Sequence, residues 1–138
     1  MRFIPALAAS FALVTANFAI YAAPASAASC VQTKISKTEF YFPGQAGSGY
    51  VVVFASTLGV SSFKNTHATI VDRFASAGSP ISRAHAGDVV KLCLTQTPVA
   101  GNGCNPSKDN RGRIYSAYDQ RLKASFNGAN SDHLCGGA

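Results

Sequence analysis

The groups able to move protons are few. His67, His85 and His133 stand in the chain with Glu39, Asp72 and Asp88 as the carboxylates nearest in pattern. "RAHAGD" sets His85 three residues before Asp88, close enough for a carboxylate to orient an imidazole. A small hydrolase acting on an anionic polymer, nuclease-like in design, would join such a pair to Arg or Lys groups that hold phosphate. The setting points elsewhere: "SRAHAGD" reads as a polar turn leading into a strand, and His133 follows Asp132 in an exposed-looking segment before Cys135. The chain holds neither HExxH nor GxSxG, and the four cysteines offer no free thiol to pair with a histidine. "GQAGSG" is glycine-rich but lacks the Lys-Ser/Thr of a phosphate loop, so it reads as a turn. No catalytic residue and no cofactor is assigned.

Binding chemistry is better represented. "RGRIYSAYDQRLKASF" (111–126) packs arginine, lysine, tyrosine and phenylalanine closely together. With Lys108 just before it, the stretch offers Lys108, Arg111, Arg113, Tyr115, Arg121 and Lys123 as a candidate site. Guanidinium groups interleaved with tyrosines can pair with anions and stack on bases or sugars. The competing reading is an ordinary solvated strand face with snorkelling side chains.

The rest of the chain must place those residues. Arg2 is the only charge before Lys34, and the residues between are apolar and then small. That is the layout of a secretory signal peptide over residues 1–27, with "ASA" (25–27) as the cleavage site. A transmembrane helix fits the same run less well, because it is alanine-rich, holds Asn17 and ends at Pro24. A lipoprotein anchored at Cys30 fits poorly too, since Ala27 stands where a leucine is usual. Residues 28–138 then form a single exported domain, periplasmic or secreted, with no integral membrane segment. The absence of an Asn-x-Ser/Thr sequon suits a bacterial source.

Removing the leader takes only Arg2 from the twelve Lys and Arg, so eleven face six Asp and Glu, a net charge of +5. An exported basic domain favours a polyanion or a cell-surface component as partner. Cys30, Cys93, Cys104 and Cys135 are an even number in a small exported domain and predict two disulfides. The pairing expected is Cys93–Cys104, clipping the turn in "CLTQTPVAGNGC", and Cys30–Cys135, tying the chain ends. Zinc is not expected, because no CxxC pair is present.

Patterning predicts a mainly β fold. "VQTKISK" (31–37) alternates, "EFYF" (39–42) follows, "YVVVFAS" (50–56) is β-branched and aromatic, and "DVVKLCLT" (88–95) alternates with Val90, Leu92 and Leu94 on one face. Turn signals recur at Pro43-Gly44, Gly59, Gly78 to Pro80, Gly87, Asn102-Gly103 and Asn127-Gly128. Short strands so spaced predict a small disulfide-stabilised β-sandwich or barrel. One short helix is expected near 67–77, where Ile70, Val71, Phe74 and Ala77 fall at helical spacing. The β-branched trio Thr69, Ile70 and Val71 opposes it. Residues 114–126 fit either period and are read as a hairpin turning near Asp119-Gln120. In that reading Tyr118, Leu122 and Phe126 point inward and Arg121 and Lys123 outward. The functional expectation is a non-catalytic binding domain for an anionic polymer or surface, with the small hydrolase as its rival.

Overall fold

The computed structural model describes residues 28–60 and 67–137. The expected leader (1–27) and its cleavage site lie outside the described residues. Six strands form a closed antiparallel barrel: β1 (Ser29–Phe40), β2 (Tyr50–Phe54), β3 (Thr69–Asp72), β4 (Val89–Gln96), β5 (Ile114–Asp119) and β6 (Ala124–Ala129). Two consecutive meanders, β1–β2–β3 and β4–β5–β6, are joined edge to edge by β1 against β4 and β3 against β6. A barrel rather than a sandwich results, and closure leaves few strand edges open.

Strict alternation fills the barrel. Ile35, Val52, Phe54, Ile70, Val90, Leu92, Tyr115, Ala117 and Phe126 point inward and are buried. Phe54 and Phe126 stack with ring centroids 6.5 Å apart. The Tyr115 hydroxyl donates to the Leu58 carbonyl at 2.6 Å, tethering the segment after β2 across the barrel, and burial pushes its pKa up to about 12. The crossover from β3 to β4 carries a short 3-10 turn, Ile81–Arg83, whose Ile81 is buried.

Three expectations need correction. Residues 69–72 are a strand, not part of a helix, because Thr69, Ile70 and Val71 pair with Val53, Val52 and Val51. β-branched side chains pack well on that pleated surface and lose χ1 freedom in a helix. The disulfides are Cys30–Cys93 and Cys104–Cys135. Cys30 and Cys93 face each other directly across β1 and β4, with Cα atoms 4.0 Å apart. The ladder bond from Ile35 to Asp88 sets the alternation that makes this a closely spaced, non-hydrogen-bonded pair. Short sequence separation favoured Cys93–Cys104, but strand register brings Cys30 to Cys93 instead. Both bridges suit an oxidising, exported environment.

Asn127-Gly128 is not a turn either; it lies inside β6. A Cβ on Gly128 would stand 2.9 Å from the Ile70 side chain and 2.9 Å from the Val71 carbonyl oxygen. The glycine lets β6 approach β3, where Val71 opposite Ala129 is the one register pair of the closing seam. Gly128→Ala is therefore expected to destabilise the fold by about 1–3 kcal/mol through overpacking, read as a lower urea midpoint.

Candidate binding face

The hairpin at 114–129 forms as expected, but with the opposite parity on its first strand. Tyr115, Ala117 and Asp119 point inward, and Tyr118 points out with 43% of its surface exposed. The turn after Asp119 resets the alternation, so Phe126 is inward as expected. The Asp119 carboxylate closes that turn by accepting the Leu122 N–H at 3.0 Å.

The candidate basic residues are dispersed rather than gathered. Arg113 is 4% exposed and spends its guanidinium on the Asp109 carbonyl (3.0 Å) and the Pro106 carbonyl (2.8 Å). Arg111 pairs with the Asp109 carboxylate at 2.8 Å, which also accepts the Gly136 N–H at 3.0 Å. The Arg111 guanidinium beside Asp109 holds that carboxyl well below the usual range. The two arginines thus brace the loop after β4 from within, while the Asp109 carboxylate on the Gly136 N–H, Cys104–Cys135 and the Asn130 side chain on the Asn110 carbonyl tie it to the C-terminal tail. Tyr115 is in the core. Lys108 is exposed on the loop, and Lys123 on the β5–β6 turn at positive φ.

Arg121 reaches across to Asp88, Nε to Oδ1 at 2.7 Å and Nη2 to Oδ2 at 2.8 Å, and donates to the Arg83 carbonyl at 2.7 Å. Asp88 also accepts the His85 N–H at 2.7 Å. The Arg121 guanidinium, with that N–H, holds Asp88 at about 2, below its ordinary 3.8. A depressed carboxylate stabilises the fold above its unfolded pKa and loses that contribution as pH falls through the folded one. The urea midpoint of wild type should thus exceed that of Asp88→Asn at pH 6, and the gap should close between about pH 4 and 2. A gap unchanged over that interval would show that the pair carries no such dependence.

What the barrel does assemble is a polar face that the sequence did not reveal. β1, β4, β5 and β6 lie side by side, and their outward residues fall into rows. Gln32 faces Lys91, Lys91 faces Tyr118, and Tyr118 faces Ser125. One row over, Cys30, Cys93, Ser116 and Asn127 align in the same way. Lys34 faces Val89 beyond the other side. None of these residues is acidic, and neither Lys34 nor Lys91 has an ion-pair partner among the described residues. A shallow depression of about 300 Å³ lies on this face, lined by Gln32, Lys91, Tyr118 and Gln120 beside Cys30 and Val31. Lys91 was legible as outward from the alternation of 88–95; its neighbours were not, because they depend on which strands adjoin.

The histidines do not converge. His85 and Glu39 border a separate cleft of about 400 Å³, with Glu39 ion-paired to Lys37 at 2.5 Å. His67 lines another depression, and His133 is exposed on the tail. Among the described residues no group of three His, Cys, Asp or Glu is placed to hold a metal, and no helix is long and apolar enough to cross a membrane.

The class defined is a closed six-stranded antiparallel barrel, disulfide-bonded, with an acid-free polar face. No protein-family model matches the chain, and neither a curated protein nor a solved structure shows significant similarity to it.

Proposed function

We propose that this protein is a non-catalytic binding domain whose outer β1–β4–β5–β6 face takes up an anionic glycan or similar polymer. The observation that carries the reading is the row Gln32–Lys91–Tyr118–Ser125, in register across four strands. A half-exposed tyrosine offers an apolar ring for a sugar face, and flanking amides and hydroxyls suit its hydroxyl groups. Lys34 and Lys91 supply positive charge that no neighbouring carboxylate cancels. Rigid strands hold these groups at fixed spacing, so little order is lost on binding. The excess of basic residues over the whole chain would draw such a polymer in, while Arg111, Arg113 and Arg121 are committed to internal partners.

Titration against heparin at two salt concentrations, with a neutral glucan as control, tests this. Wild type is expected to bind heparin with an affinity that falls as salt rises, since exposed charges are screened beyond about 8 Å at physiological ionic strength. Lys34→Glu with Lys91→Glu should weaken binding about tenfold or more, and Tyr118→Ala about fivefold, with the melting temperature nearly unchanged. Lys108→Glu should have little effect. Equal binding by all these proteins, or no salt-dependent binding by wild type, would remove the face from consideration.

A further inference from the structure

β1 serves two neighbours in succession. Its first half, to Lys34, pairs with β4, and its second half, from Ile35, pairs with β2. The change of partner falls at a bulge between Ile35 and Lys37. At Ile35 the β4 side is still occupied: the Ile35 N–H donates to the Asp88 carbonyl at 2.9 Å, and its carbonyl accepts the Gly87 N–H at 2.8 Å. Beyond the bulge that side opens. The Tyr41 N–H donates to the Gly49 carbonyl at 3.0 Å, which fixes the phase of the β1–β2 ladder. Glu39 and Lys37 then share Tyr41's phase and bond toward β2, while Thr38 and Phe40 direct their N–H and C=O groups away from it. No backbone partner for Thr38 or Phe40 on that side occurs among the described residues.

This edge runs along the 400 Å³ cleft, whose far wall is the 3-10 turn. Phe40 and Tyr50, with centroids 5.6 Å apart, and the buried Ile81 give the cleft an apolar floor. Two N–H donors and two C=O acceptors, repeating every second residue beside an apolar pocket, match one kind of ligand closely. Another extended chain satisfies all of them together and places alternate side chains in the pocket. A small ring would fill the floor and leave the backbone groups unmatched.

We propose that the β1 edge at Thr38–Phe40 captures an extended polypeptide segment of alternating apolar and polar residues as an added strand. The segment continues the ladder that Gly87 and Asp88 begin at Ile35, and its apolar side chains enter between Phe40, Tyr50 and Ile81. This site is separate from the glycan face and does not depend on it.

The test uses the disulfide-bonded protein, labelled with nitrogen-15, and a capped hexapeptide of alternating valine and threonine. Saturable shifts centred on Thr38, Phe40 and Ile81 are expected, with amide hydrogen exchange at Thr38 and Phe40 slowed about tenfold or more. The same peptide N-methylated on alternate amides, in either phase, should lose that protection in the phase that faces the edge. Thr38→Pro removes a donor that β2 does not use, so the barrel should persist while the peptide no longer binds. Should that variant fail to fold, the N-methylated peptides still decide. The proposal is overturned if the hexapeptide leaves these amides unprotected at millimolar concentration. It is overturned equally if indole alone reproduces the shifts without protection, or if protection without peptide rises with protein concentration, which would make the occupant a second copy of the chain.

Discussion

Phe54→Ala is expected to cost about 3–5 kcal/mol of unfolding free energy, measured by urea denaturation. Phe54 is fully buried on β2, and its ring stacks on Phe126 from the opposite meander. Removing it leaves a ring-sized void inside the closed barrel, whose strand wall can move in only partly to fill it. Packing contacts are lost in addition to the transfer free energy of the ring. Phe74→Ala is the control: that side chain is 83% exposed and should change stability by less than about 0.5 kcal/mol. A comparable loss at both positions would contradict the assigned core.

Replacing Cys104 and Cys135 together by serine is expected to lower stability by about 3–4 kcal/mol, the chain-entropy value for a cross-link of this span. The loss should have a local signature as well. The bridge ties the loop after β4 to the tail after β6 and belongs to no strand of the barrel. Asp109 would still hold part of that contact through the Gly136 N–H, and Arg113 would still brace the loop internally through the Asp109 and Pro106 carbonyls. Limited proteolysis should therefore cut the double variant within residues 97–112 well before the barrel strands, while far-ultraviolet circular dichroism keeps its strand signal. Cleavage no faster than in wild type would mean that the Arg113 and Asp109 contacts suffice to hold the loop.

Much of the barrel was legible because its inner residues announce themselves by type. Val90, Leu92 and Leu94 alternate with Lys91 and Cys93, and only one face of such a strand can be buried. Tyr50–Phe54 is too β-branched and aromatic to be anything else. Residues 114–119 were harder, since Tyr115 and Tyr118 make either face a candidate for the core. The deciding contacts are the Tyr115 hydroxyl on Leu58 and the pairing of Leu94 with Tyr115, both distant in sequence. A one-residue error in parity exchanges every side chain of a strand between core and solvent, which is why Arg113 and Tyr115 are buried and Tyr118 is exposed; beyond the turn Arg121 and Lys123 lie outward as expected, with Arg121 held by Asp88. Arg113 illustrates a second limit. An arginine just after Gly112 and before a strand reads as solvated, and only the folded loop shows it bound to two carbonyls. The candidate face was the least legible part, because Gln32, Lys91 and Tyr118 become neighbours only once β1, β4 and β5 adjoin.

The two disulfides follow one another along the chain without overlapping. Residues 30–93 close one covalent ring and residues 104–135 another, and the exposed stretch 97–103 is the link between them. A single nick in that link would yield two fragments, each internally cross-linked, held together by the ladders and core they share and by side-chain contacts such as Arg121 with Asp88. One fragment carries β1 to β4 and the other β5 and β6. The molecule is in this sense a split protein with its breakpoint already marked, and its halves can be made, oxidised and recombined as separate pieces.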